Sequence, residues 1–277
     1  MKQTIPTITL LTDFGLKDEY VGAIKGVILS INSRVQLVDI SHNLTRHDIL
    51  QAALVIKGAF RYFPKGSIHV IVVDPGVGGK RKVICLKKEG HVFVAPDNGV
   101  LSLVTQDGKA DEIYAVTNQA YFLKPVSNTF HGRDIIAPVA AHLSKGAALP
   151  CLGEKLTLDD INTLDMPVPF LSSDERLLAG EIISIDHFGN LITNIDQETF
   201  EIFTGKRKSK NVVIGLGRSR IRGVSESYDT VKVGDPLAIF GSRNLLEISV
   251  NQADASSYFR ARVGLAVNVE VLTKKNR

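Results

Sequence analysis

Cysteine is scarce: Cys85 and Cys151 are the only thiols in 277 residues. They lie far apart, with no C-x-x-C and no matching histidine pair. That excludes a disulfide framework and offers no zinc-ligand spacing, so both read as reduced packing residues of an intracellular protein. Long hydrophobic runs are missing too. No apolar stretch approaches the ~20 residues that a membrane span needs. The N-terminus shows no basic leader with an apolar core and a small-residue cleavage site, so the cytoplasm is the expected compartment, without membrane association. Charge of one sign is not in strong excess. Against 29 Asp and Glu stand 33 Lys and Arg, a net +4, too diffuse to argue for nucleic acid. The patch Lys80, Arg81, Lys82, Lys87, Lys88 and the run Lys206, Arg207, Lys208, Lys210 would help steer an anion or form solvated faces. Internal repeats and low-complexity segments are absent.

What is present is enough chain for one large or two ordinary domains with a sizeable core. The stretch Gly66 to Lys82, G-S-I-H-V-I-V-V-D-P-G-V-G-G-K-R-K, organises the rest. Ile68, Val70, Ile71, Val72 and Val73 form a short β-branched run bounded by Gly66 and Pro75, the pattern of a buried strand. Asp74 stands where that strand stops, before a glycine-rich loop and Arg81. In open α/β sheets ligands bind beyond the carboxyl ends of strands, which puts Asp74 and Arg81 at the rim of such a crevice. An Asp before Pro-Gly also initiates turns, and that reading stays open here. A phosphate loop fits less well: with Gly79-Lys80 as its G-K pair, the motif needs glycine at Asp74 and Ser or Thr at Arg81.

Taken in order, Thr7 to Thr12 reads as a strand broken by Asp13-Phe14-Gly15, and Asp18 opens a helical pattern carried by Tyr20, Val21, Ile24, Val27 and Ile28. Gln36 to Ile40 is a second strand and Asp48 to Phe63 a second helix. Val83 to Leu86 and Val92 to Ala95 are further strands, the latter ending in Ala95-Pro96-Asp97-Asn98-Gly99. Strands alternating with helices predict an α/β N-terminal domain, residues 1–165, with a largely parallel sheet covered on both faces. The cluster Ser127 to Asp134, S-N-T-F-H-G-R-D, packs a hydroxyl, an amide, an imidazole, a guanidinium and a carboxylate into one turn before a helix at Asp134 to Leu143. Helix capping accounts for part of it. Residues 166–179, with Pro167, Pro169 and Ser172-Ser173-Asp174-Glu175, read as a linker. Beyond it, Gly180 to Ile185, Leu191 to Ile195, Asn211 to Gly215, Pro236 to Phe240, Leu245 to Val250 and Ala261 to Val271 read as strands. They predict a smaller all-β, antiparallel and barrel-like domain at 180–277.

Five ordered motifs, L-T-D-F-G at 11–15, V-V-D-P-G-V-G at 72–78, A-P-D-N-G at 95–99, T-F-H-G-R-D at 129–134 and I-D-H-F-G-N at 185–190, span both domains. Together they resemble the S-adenosylmethionine hydroxide adenosyltransferases, or SAM hydrolases, relatives of the fluorinase and chlorinase enzymes. The resemblance implies hydrolysis of S-adenosyl-L-methionine to adenosine and L-methionine without metal or redox cofactor. It also implies a homotrimer in which the first domain of one subunit and the second domain of its neighbour enclose the substrate. Asp74, Arg81 and His131 match the hydrolytic set, whereas halogenase relatives carry an aromatic at the Asp position and a different residue at the His. By the same matching Asp13 takes the ribose diol, Asp186 the methionine ammonium, and Phe188 with Tyr228 the adenine faces. Asn190 takes the adenine edge, and Ser242 and Arg243 the methionine carboxylate. Read without the resemblance, Phe188 and Tyr228 serve equally as core aromatics, and Asp186 and Asn190 as a turn around Gly189. Competing expectations are a non-catalytic adenosyl-ligand sensor, a chloride-transferring relative and a generic phosphate-binding enzyme.

Overall fold

The computed structural model describes residues 5–173, 176–205 and 211–272. The basic run at 206–210 and Asp174-Glu175 lie outside them. The chain divides into two compact units, Met1–Leu164 and Asp165–Arg277.

The first unit is ordered β1 (Thr7–Thr12), α1 (Tyr20–Ile31), β2 (Gln36–Ser41), α2 (Ile49–Ala59), β3 (Ile68–Val72), β4 (Val83–Lys88), β5 (His91–Pro96), β6 (Glu112–Ala115), α3 (Ala137–Ser144) and β7 (Lys155–Leu156). Its seven strands form one sheet in the order β2-β1-β3-β5-β4-β6-β7. Every residue of β3 is buried, and alternate side chains serve opposite faces, as the two-residue period of a strand requires. Ile68, Val70 and Val72 join α1 and α3 in one core. Ile71 and Val73 join Ala52, Ile56 and Phe60 around α2 in the other. Asp48 caps α2 by accepting from the Gln51 N–H, which fixes where that helix starts.

The sheet is mixed rather than largely parallel. Pairs β1–β2, β1–β3 and β3–β5 are parallel, while β4–β5, β4–β6 and β6–β7 are antiparallel. The reversal comes from a two-residue hairpin loop, Glu89-Gly90, with both residues at positive φ (54° and 82°). That is the geometry of a tight hairpin turn whose twist suits antiparallel strands. Part of the basic patch is also tied up in ion pairs. Lys88 is buried, paired with Asp107, and donates to the Lys109 carbonyl (2.9 Å), while Lys87 pairs with Glu112 (3.1 Å).

The second unit contains β8 (Phe170–Leu171), β9 (Leu177–Ile185), β10 (Leu191–Asp196), α4 (Gln197–Thr204), β11 (Val212–Leu216), β12 (Ser219–Arg222), β13 (Pro236–Phe240), β14 (Leu245–Val250), α5 (Ala255–Phe259) and β15 (Ala266–Val271). The segment read as a linker thus carries β8 and the start of β9, which pair with each other. The strands run antiparallel in the order β12-β11-β15-β9-β10-β14-β13. A single bridge from Ser225 to Ile239 of β13 brings the two ends together, so the sheet is nearly closed around a core of Leu178, Ile182, Leu191, Ile214, Leu246, Ile248 and Val267. Ala261 to Leu265, expected to extend the last strand, lies before it.

Candidate active site

The parallel register of β1 and β3 places Thr12 beside Val72. The chain therefore leaves both strands at adjacent points, with Asp13 following one and Asp74 the other. Asn98 anchors the second exit. β3 ends at Val72, and the Asn98 side-chain amide donates to the next carbonyl, Val73 O (2.9 Å), in place of a ladder bond.

Arg81 grips Asp74 side-on. Its Nε donates to both carboxylate oxygens (2.8 and 3.0 Å), and Nη2 pairs with Oδ2. Nη2 also reaches Nδ1 of His131 at 2.9 Å. The pair is mostly out of solvent, the Arg81 side chain 11% and that of Asp74 5% exposed. Such buried pairs hold only with good geometry, which the two-pronged contact supplies. The described hydrogen bonds of Arg81 do not engage Nη1. Because a guanidinium has no acceptor, His131 Nδ1 must accept, and the neutral ring then carries its proton on Nε2. Burial first, and the Arg81 charge second, pull the His131 pKa below the ordinary value of 6.5, against smaller opposing effects of Asp74 and Asp134. The neutral form therefore dominates at neutral pH.

Two glycines close this site. Gly78 has φ +77°, and a Cβ there would collide with the Asn128 carbonyl, so the 74–82 loop lies directly on the 127–131 segment. A Cβ at Gly132 would come within 2.9 Å of Val72 Cγ1, so the turn carrying His131 sits tight on the end of β3. That turn is a π turn, Gly132–Ile136, leading into α3. Asp134 is fully buried and accepts from the Ser127 N–H (2.8 Å) and from Arg133 (2.7 and 3.0 Å), which shapes the loop ahead of His131.

Asp13, Asp74 and His131 line one cavity of about 450 Å³. The His47 N–H donates to Asp13 Oδ2 (2.8 Å), with His47 itself at φ 65°. Thr12 Oγ1 pairs with His42 Nδ1 (2.8 Å), and the His42 carbonyl accepts from the Gly15 N–H (2.7 Å), pinning the Asp13 loop from behind. Sequence reasoning missed Arg46 and His47, which line the same cavity. It also missed the aromatic wall of Phe14, Tyr20 and Phe130, whose ring centroids lie 5.3 to 5.7 Å apart. Arg133 stacks on Phe130 at 5.2 Å.

In the second unit, Phe188, Asn190 and Tyr228 line a separate cavity of about 790 Å³, with Asn251, Gln252 and Ala253 as lining the sequence reading did not name. Phe188 is 75% exposed, so it is no core aromatic. Asp186 organises the loop. It accepts from the backbone N–H groups of Phe188 and Asn190 and from the Asn190 side-chain amide, each at 2.9 Å. The turn expected around Gly189 is therefore real, and it leaves Asn190 Oδ1 and one amide hydrogen for other partners. Ser242 and Arg243 sit on the turn joining β13 to β14. Burial, and then the Asp186 charge, hold the Glu247 carboxyl of β14 above the usual carboxylate range, against weaker opposing effects of Arg243 and Tyr228.

A family model described as SAM hydroxide adenosyltransferase N-terminal domain matches residues 8–153, and its C-terminal counterpart matches residues 180–268. The chain is 38% identical over 259 residues to a protein of Methanocaldococcus jannaschii named (R)-S-adenosyl-L-methionine hydrolase, covering 90% of each. It is 30% identical to a protein of the same name from Thermus thermophilus, over 95% of this chain and 98% of that protein. A protein named fluorinase from Actinoplanes sp. is 29% identical over 95% of this chain and 97% of its own. A solved structure of a conserved protein from Thermotoga maritima superposes with a TM-score of 0.86 at 37% identity, over 95% of this chain and 99% of that one.

Proposed function

The chain belongs to the SAM hydroxide adenosyltransferase family, and we infer that it is an enzyme that hydrolyses S-adenosyl-L-methionine. In this reading water attacks the ribose C5′ and the products are adenosine and L-methionine, formed in the cytoplasm without metal or other cofactor. The observation that carries it is the partly buried Asp74–Arg81–His131 constellation at the wall of the Asp13 cavity.

The bond to be broken runs from C5′ to a sulfonium, which departs as a neutral thioether and needs no acid. The difficulty lies in the nucleophile, since free water has a pKa of about 15.7. Asp74 takes the water proton through a lone pair not used by Arg81. His131, neutral with Nε2–H free of Arg81, holds the water oxygen, and Arg81 stabilises hydroxide character as the C–O bond forms. Arg81 fixes both partners, so attack becomes a matter of placing water in line with the departing sulfur. Asp13 accepts from the ribose diol, with Oδ2 already oriented by His47. Phe188 and Tyr228 hold the adenine faces and Asn190 its edge. Asp186 takes the methionine ammonium, and Ser242 with Arg243 the carboxylate. A homotrimer, each site completed by a neighbouring subunit, is part of the same proposal. Halide transfer fits poorly, because Asp74 would repel an anionic nucleophile.

The test is product analysis with purified protein and S-adenosyl-L-methionine in metal-free buffer. Adenosine and methionine in equal amounts are expected, with Asp74→Asn lowering kcat by about 10²- to 10⁴-fold. Binding by calorimetry with no turnover would instead identify an adenosyl-ligand sensor.

A further inference from the structure

The motif Ala95-Pro96-Asp97-Asn98-Gly99 contributes nothing to the described lining of the Asp13 cavity, yet it meets the chain at both ends of the loop that carries Asp74 and Arg81. Ahead of that loop, the Asn98 amide donates to Val73 O (2.9 Å). Behind it, the Asp97 N–H donates to Lys82 O (2.9 Å), one residue past Arg81. The loop's own turn bonds, from Val77 N–H to Asp74 O (3.2 Å) and from Gly79 N–H to Gly76 O (3.0 Å), do not fix the distance between its ends. Two consecutive residues of one turn do. That turn is itself fastened. Asp97 is 4% exposed, and its carboxylate accepts from the Asn162 N–H at Oδ1 (2.8 Å) and from the Asn162 side-chain amide at Oδ2 (3.0 Å). The same amide donates to the Asp97 carbonyl (2.9 Å). Asn162 thus presents two separate donor groups to one side chain, and a carboxylate accepts both at separate oxygens, whereas the isosteric amide has a single acceptor oxygen. Among the described residues no Lys, Arg or His pairs with Asp97. A buried carboxylate without a cation is costly, and what it secures here is geometry. Leu164 completes the fastening: its N–H donates to Ser102 Oγ (2.8 Å), and a Cβ at Gly99, φ +91°, would collide with it.

We propose that Asp97 and Asn162 are positioning residues of the hydrolytic site, clasping the turn that holds the 74–81 loop at both ends and thereby setting Asp74 and Arg81 against His131. This rests on the hydrolytic reading above for its kinetic consequence. Neither residue lines the cavity, so their effect passes through the backbone. A loosened turn lets Val73 O and Lys82 O drift apart. The side-on grip of Arg81 on Asp74 and the Nη2 contact to His131 then lose their alignment, and the attacking water loses its aim. Substrate binding by Asp13 and the second unit is left as it was.

The experiment compares Asn162→Ala, which removes both amide bonds, and Asp97→Asn, which sets an N–H against one Asn162 donor, with Asn32→Ala as the control. Asn32 joins the C-terminal ends of α1 and α3 by donating to Ser144 Oγ (2.8 Å), so its loss weakens the same unit without touching the clasp. Steady-state kinetics with S-adenosyl-L-methionine are expected to show kcat lowered about tenfold in both clasp variants, with KM within about twofold and the control near wild type. A second readout needs no turnover. His131 titrates below 6.5 through burial and then the Arg81 charge, against the opposing charges of Asp74 and Asp134. When the loop loosens, the two larger effects fade, and the His131 titration moves up toward 6.5 in both clasp variants. It is followed by NMR of histidine-labelled protein and assigned by its absence in His131→Asn. A kcat loss no greater than the control's, a parallel rise in KM, or an unmoved His131 titration overturns the proposal. Wild-type protein without turnover would overturn hydrolysis, and the His131 titration alone then decides whether the clasp sets the site.

Discussion

Arg81 can only donate, and that one property dictates the state of its neighbours. With Nη2 at 2.9 Å from His131 Nδ1, protonating that nitrogen would set two donors against each other and break the constellation. The acid limb of kcat is expected below pH 6.5, displaced from an ordinary histidine by the lowered His131 pKa. His131→Asn keeps an acceptor and a donor without titrating, so it is expected to retain measurable activity and lose that limb. A rate profile between pH 5 and 8 checks this, and an unchanged limb in the variant would contradict it. Asp74, Arg81 and His131 were legible in the sequence because each sits in a motif beside glycines. Arg46 and His47 were not. His47 meets Asp13 across 34 residues, through the parallel pairing of β1 and β2, and nothing in T-R-H signals that contact.

At the scale of elements, the site depends on how β3 ends. Its β-branched run was readable, and Asp74 emerges where that run predicted. The mixed sheet was not, because Glu89-Gly90 lacks the Asn-Gly or Asp-Gly signal of a tight hairpin and the strands on either side read alike in either direction. The second unit's strands were mostly legible from alternation, whereas β12 and the short helices α4 and α5 were too brief to declare a period. Asn98 is the fastening that a strand pattern cannot reveal. Removing its bond to Val73 O in Asn98→Ala is expected to cost about 1 kcal/mol of stability. Because it frees the backbone that aims Asp74, kcat is expected to fall about tenfold with KM little changed. Steady-state kinetics beside thermal melts check it, and full activity in a destabilised variant would show that the anchor serves folding alone.

For the whole molecule, acid stability turns on histidines remote from the cavity. His69 is fully buried, bonded to Thr9 Oγ1 (2.8 Å) and His91 Nδ1 (3.2 Å), and burial with the nearby His91 pulls its pKa down to about 3. In the unfolded chain it titrates near 6.5, so below that pH the unfolded state binds a proton that the native state refuses. Stability is therefore complete above pH 6.5 and declines as pH falls from there toward 3, by about 1.4 kcal/mol per unit. Urea unfolding at pH 7.5 and pH 5 is expected to differ by about 2 kcal/mol from this group alone, and His69→Gln should flatten the difference. Equal stability at both pH values would contradict the assignment.

The central claim is that this molecule makes water attack C5′ of S-adenosyl-L-methionine. Turnover in oxygen-18 water, followed by mass analysis of the nucleoside, tests it most directly. Adenosine labelled at the 5′-oxygen is expected, formed about 10²- to 10⁴-fold more slowly by Asp74→Asn. Unlabelled adenosine, or a nucleoside cleaved elsewhere, would contradict it.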